Sequence, residues 1–196
     1  MQFRLLRRSL RRSHLSCKGM AALVVVLGDI GRSPRMMNHA CMLLDSTSYD
    51  VHILAYRESP MYPQLEASPR VHLHSIRAVS LCRSCFLLYA LLRLFCQTFQ
   101  ILWILLRVRD IRVAFVQNPP AIPALALVLF VSFVKNFPVY LDWHNYSFSL
   151  LSIAGRSRKI VSLARLYERK VGFLADRHFC VSQAMQSDLA AHFHIR

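Results

Sequence analysis

The sequence predicts an α/β fold, a Rossmann-like, doubly wound parallel sheet. Three observations carry this. Short apolar, β-branched runs alternate with longer stretches of helical periodicity. Three of the runs end in clusters of glycine, proline and polar residues, as strands do on leaving a parallel sheet. No internal repeat or low-complexity run interrupts the alternation.

The apolar run 20–27 is a buried first strand that breaks at Gly28 and turns through Gly31. Ser33 is positioned as an N-cap and Pro34 as the first residue of a helix over 34–47, with both glycines supplying positive φ in the turn. Tyr49 to Tyr56 reads as a second strand, Pro60, Pro63 and Pro69 as a long loop, and Val71 to Ile76 as a third strand. Residues 85–106 are strongly apolar and long enough for a bilayer. Arg93, Gln97, Thr98 and Gln100 interrupt them, which favours a crossover helix with one side dipping into lipid headgroups over a true span. A fourth strand follows at 112–117 and a short apolar helix at 121–134. The fifth strand is Val139 to Trp143. A basic amphipathic helix covers 158–175, with Ile160, Leu163, Ala164, Tyr167, Val171 and Leu174 as its inward stripe. Arg177 to Val181 is a sixth strand, and Ser182 caps a last helix ending near Phe193.

At 196 residues and 55% apolar, the chain is sized for one domain with a substantial core. The division expected is a basic N-terminal extension over 1–20 and a folded domain over 21–196. Of the net charge of +15, Arg4, Arg7, Arg8, Arg11, Arg12 and Lys18 supply an acid-free cluster at the start. Such a surface favours phosphate or anionic lipid, and no nucleic-acid-binding motif accompanies it. The six cysteines are scattered, which argues for reduced thiols. Cys82 and Cys85 form a lone C-x-x-C without a second pair for zinc. The remaining histidines, including His72 and His74 on one strand face, lack metal-ligand spacing, so no metal is expected.

Function is sought where the three polar clusters emerge together. Gly28-Asp29-Ile30-Gly31-Arg32-Ser33 lacks both G-x-G-x-x-G and the P-loop pattern, yet a glycine loop before a helix, with Arg32 and Arg35 beside it, suits a phosphate. Gln117-Asn118-Pro119-Pro120 reads either as a rigid turn or as part of the site. In Asp142-Trp143-His144-Asn145-Tyr146, positions two apart share a strand face, so Asp142 can orient His144 as a general base. The neighbouring rings suit sugar faces. Glu168 reads as a surface partner of Arg165 or Arg169.

The segments VVVLGDIGRSPRM, FVQNPPAIP, LDWHNYSFSLL, LARLYERKVG and FCVSQAMQSDLAAHFHIR resemble the N-terminal half of the chitobiosyldiphosphodolichol β-mannosyltransferase family. The resemblance covers about residues 22–196 and is weaker over 57–110. It implies a GT-B architecture in which this domain takes the lipid-linked acceptor. A second domain, outside this chain, would hold most of the GDP-mannose site. The implied reaction is inverting, β-1,4 transfer of mannose from GDP-mannose to chitobiosyl-diphosphodolichol, with no cofactor. The family further implies the cytosolic face of the endoplasmic reticulum membrane and complexes with other dolichol-pathway mannosyltransferases. Its members start with a hydrophobic anchor where this chain has basic residues. On this reading Gly28, Gly31, Arg32 and Ser33 face the acceptor pyrophosphate and donor. His144, oriented by Asp142, is the base, with Asp29 its rival, while Asn118, Asn145 and Tyr146 hold the sugar. A non-catalytic truncated paralogue that binds the acceptor or a partner transferase is the alternative.

Overall fold

The structure is a computed structural model that describes residues 19–77, 86–119, 122–193 and 195. Residues 1–18 of the basic extension and the Cys82/Cys85 pair lie outside those residues.

Strand β1 (Ala21–Asp29) is the centre of the sheet and is apolar on both faces. Ala22, Val24 and Val26 point to one side, and Leu23, Val25 and Leu27 to the other. That double burial is why the run shows no polar alternation. Around it pair β2 (Asp50–Tyr56), β3 (Val71–Ser75), β4 (Ile111–Asn118), β5 (Val139–Trp143) and β6 (Arg177–Cys180). All are parallel, in the order β3-β2-β1-β4-β5-β6. The order reverses between β1 and β4, so the chain leaves the sheet in opposite directions there and opens a crevice beyond the strand ends.

One face carries α1 (Pro34–Ser46) and α2 (Pro63–Ala67), which bury Met36, Met37, Ala40, Leu43 and Leu65 against β1 and β2. The other carries α3 (Phe86–Arg107), α4 (Ala124–Lys135), α5 (Ser147–Ile153) and α6 (Arg158–Gly172), and α7 (Gln183–Phe193) adds Leu189 and Phe193 to that core. Each fully buried Leu, Ile or Val of these layers stabilises by about 1.5–3 kcal/mol before entropy is counted. Lys135, at the end of α4, donates from Nζ to the carbonyls of Leu105 (2.8 Å), Leu106 (3.0 Å) and Val108 (2.7 Å) and so closes the C-terminus of α3.

Several expectations change. β1 does not break at Gly28 but continues to Asp29, with a register shift against β2 between Val26 and Asp29. A 3₁₀ turn, Ile30–Arg32, follows. Gly28 and Gly31 are not at positive φ. Gly31 is glycine for want of room: a Cβ there would lie 2.6 Å from the Pro60 carbonyl oxygen and 2.7 Å from Ser59. The proline-marked stretch is not loop throughout, since Pro63 starts a five-residue helix too short to show periodicity. α6 ends at Gly172, where a Cβ would meet the Trp143 ring at 2.9 Å, and the helix's expected inward residues Ile160, Leu163 and Leu174 are exposed. Among the described residues, no helix is long and apolar enough to cross a membrane.

Gly31→Ala is expected to destabilise the fold by about 1–3 kcal/mol, because the new methyl meets backbone that has no slack. Gly28→Ala, whose Cβ would meet only Val26 at 3.7 Å, should cost less than about 1 kcal/mol. Urea unfolding midpoints of the two variants check this.

Candidate active site

Three strand ends form the rim. β4 lies between β1 and β5, and in its pairing with β5 Gln117 is level with Asp142 and Asn118 with Trp143. The three polar clusters therefore stand side by side, although the first and the last are more than 100 residues apart in sequence.

Asp142 is the centre of the rim. Its side chain is fully buried, and Oδ2 receives Arg35 Nε at 2.7 Å, His39 Nε2 at 2.9 Å and His144 Nε2 at 3.2 Å. Arg35 and His39 are four apart on α1, so one helix face presents both. Arg35 also donates to the Cys180 carbonyl at 3.2 Å, and the His39 ring stacks on Phe115. Burial by itself would raise the Asp142 carboxyl. The hydrogen bonds from His144 and His39, with the charges of His39 and Arg35, outweigh it and hold the group well below the usual carboxylate range. A permanent carboxylate fixes the tautomer of its histidine: His144 presents Nε2–H to Asp142, which leaves the lone pair on Nδ1. His144 itself is partly exposed, and its amide is anchored to the Asn118 carbonyl at 2.8 Å.

The first loop is tied to the second. Ser33 occupies the N-cap position of α1, yet its hydroxyl makes no cap bond. It donates to Gln117 Oε1, and Gln117 Nε2 donates to the Pro119 carbonyl at 3.2 Å. The first-turn amides of α1 thus lack a side-chain cap, a setting that favours an anion. Arg32 projects into solvent beside them, 3.6 Å from Asp29.

Asp29 has a different role from Asp142. Its Oδ1 accepts the amides of Glu58 (3.0 Å), Ser59 (3.1 Å) and Gly31 (3.3 Å), which staples the first loop to the segment after β2. The Ser59 side chain and these amides lower its carboxyl to about 2 against the cost of burial. A carboxylate so stabilised is a weak base, so Asp29 is a loop anchor.

The sugar-holding assignments divide. Asn118 is fully buried and donates from Nδ2 to Glu168 Oε1 at 2.8 Å, so it does not face the crevice. Glu168 is not on the surface. It is buried beneath the rim, where the same oxygen accepts the Ser147 amide at 2.8 Å at the start of α5. Tyr146 turns its hydroxyl to Asp188 (2.6 Å) and stacks on Phe148 and Phe193, so it joins the loop to α7. Burial, then Asp188, raises its hydroxyl above the ordinary value. Asn145 is exposed at the loop tip. His39 and the burial of Glu168 escaped the sequence reading, although Ala164, Glu168 and Gly172 at four-residue spacing lie on one helix face. Among the described residues, no group of three or more His, Cys, Asp or Glu is placed to hold a metal ion.

No protein-family model matches the chain. Individual proteins do. The UDP-glycosyltransferase TURAN of Arabidopsis thaliana is 35% identical over 181 residues, covering 89% of this chain and 39% of that protein. The chitobiosyldiphosphodolichol beta-mannosyltransferase of Mus musculus is 34% identical over 176 residues, 89% of this chain and 36% of its own length. Over most of its length the chain is similar in sequence to chitobiosyldiphosphodolichol β-mannosyltransferases. It spans about two-fifths of the length of these curated relatives. In fold it is similar to the glycosyltransferase UGT2 of Phytolacca americana, solved with UDP-2fluoro-glucose and pterostilbene. That likeness has a TM-score of 0.56 at 12% identity and covers 91% of this chain and 52% of that one.

Two outcomes follow from the carboxylates. Asp142→Ala leaves Arg35 without its counter-charge and the buried His39 without its hydrogen-bond partner, and is expected to cost about 3–5 kcal/mol in chemical unfolding at neutral pH. Asp29, lowered from 3.8 to about 2 in the folded chain, contributes stability that is complete above its unfolded value and is lost as pH falls through its folded one. The stability advantage of the wild type over Asp29→Asn should therefore shrink between about pH 4 and pH 2, as followed by urea unfolding across that range.

Proposed function

We propose that this chain is the acceptor-side domain of an inverting β-mannosyltransferase acting on chitobiosyl-diphosphodolichol at the cytosolic face of the endoplasmic reticulum. The observation that carries the reading is the Asp142–His144 pair on the strand-end rim, beside a basic glycine loop with an uncapped helix start. The names of the sequence relatives supply the reaction class.

In this mechanism Arg32 and the first turn of α1 receive the acceptor pyrophosphate. The sugar hydroxyl that attacks lies at His144 Nδ1. His144 takes its proton while the oxygen bonds to the anomeric carbon of mannose. The bond from that carbon to the diphosphate oxygen breaks, GDP departs with the electron pair, and the configuration inverts. Asp142 keeps the imidazole in the required tautomer and stabilises the imidazolium that forms. Arg35 and His39 hold Asp142 in place from α1, and Asn145 at the loop tip meets the sugar. The donor, GDP-mannose, is carried by a second domain, and partner mannosyltransferases of the dolichol pathway receive the product.

The test has two arms. In equilibrium binding of a chitobiosyl-diphosphate-lipid to the 196-residue chain, Arg32→Ala should weaken affinity by roughly tenfold, the loss of one charge-assisted contact of about 1.5 kcal/mol. His144→Ala should leave binding near that of the wild type. In a chimera that replaces the matching segment of the mouse relative, His144→Ala should lower kcat for mannose transfer by roughly 10²–10⁴-fold. Near-full turnover by that variant would remove His144 as the base.

A further inference from the structure

The sheet's two outer surfaces differ in kind. On one side α1 shows solvent Asn38 and Asp45, as a surface helix should. On the other, α3 is apolar on two opposite faces. Ile101 and Leu105 are buried against the sheet, while Phe95 (70% exposed), Phe99, Trp103 (50%) and Leu106 follow one another along the outside at helical spacing. α4 repeats the pattern, with Leu125, Val128 and Val131 inside and Phe130, Phe133 (88%) and Val134 outside. α4 lies between α3 and α6, whose Leu163 and Leu166 are also outward, so the three helices present one continuous apolar face.

The exposed charge on the helices of that face has one sign. From α3 through α6 the helices themselves contain no Asp or Glu except Glu168, which is buried, whereas Arg93, Arg107, Lys159, Arg165 and Arg169 are exposed. Arg107 lies over the Trp103 ring, 4.3 Å from its centroid, and Phe99 stacks on the same indole. An indole beside a guanidinium fits the headgroup level, where the ring meets acyl chains and the cation meets lipid phosphate. No described helix is long and apolar enough to cross a membrane.

We propose that the outer face of α3, α4 and α6 docks this protein on an anionic lipid bilayer, with the helices lying in the plane of the headgroups. The surface stands independently of the catalytic reading. It needs neither His144 nor a glycosyl donor.

The chain carries its own reporter. Of its two tryptophans, Trp143 is fully buried and Trp103 is half exposed on the proposed face. With phosphatidylcholine vesicles containing roughly 30 mol% phosphatidylserine, the full chain should co-float, with Trp103 emission shifted to the blue, shielded from acrylamide and quenched by brominated lipid. Pure phosphatidylcholine and high salt should each weaken binding several-fold. The double variant Phe99→Gln/Phe133→Gln removes only outward rings, so its circular dichroism and unfolding midpoint should match the wild type while vesicle affinity falls at least roughly tenfold. Unchanged binding by that variant, with Trp103 still open to acrylamide, would make the basic residues 1–18 the anchor and overturn the proposal. Failure to bind either vesicle would overturn it too, as would a lipid-free dimer that already shields Trp103, because the occupant would then be a second copy of the chain.

Discussion

One oxygen atom holds the rim together. Asp142 Oδ2 is met from three directions by Arg35, His39 and His144, and through these contacts the first helix is joined to the end of β5. A buried carboxylate is costly unless its partners are close and well aimed, and here the partners are the groups whose placement matters most. The arrangement serves packing and chemistry together. The charge that fixes the orientation of α1 over the sheet also fixes the tautomer of His144. The remaining rim contacts, Ser33 with Gln117 and Asn118 with Glu168, fill in around this centre.

The strand ends were legible in the sequence because their physical signature is local. A short apolar run stopping at glycine, proline or polar residues can be read from a few positions, and three such ends, within an alternation of six runs with helical stretches, point to the parallel sheet. The pairing of Asp142 with His144 was legible for the same reason, since two residues apart on a strand means one face. What could not be read is which way the other rim side chains turn. The partner of Asn118 is Glu168 and that of Tyr146 is Asp188, 50 and 42 residues away. A polar residue at a strand end can face a ligand or satisfy a buried neighbour, and only packing decides between them. The glycines make the same point. Gly31 suggested a positive φ, whereas its constraint is the segment at Ser59 and Pro60 pressed against it.

Periodicity misled in one further respect. The apolar positions of α6 at helical spacing read as the inward stripe, and of these Ala164 is buried, yet Ile160 and Leu163 lie outside and the buried face is completed by Glu168 and Gly172. Spacing identifies a face but not what covers it. When a helix turns Ala, Glu and Gly inward and large apolar side chains toward solvent, the usual equation of apolar with buried inverts. α3 and α4 are apolar on both faces instead, and together with α6 they give the domain a polar side and a greasy one.

Lys135 gives that greasy side a mechanical character. Its ammonium grips three carbonyls at the end of α3 from the end of α4, so the two helices share a rigid joint. At its other end α4 begins six residues beyond Asn118. Through that joint the apolar outsides of α3 and α4 are kept side by side by a charge-assisted contact and not by apolar packing alone.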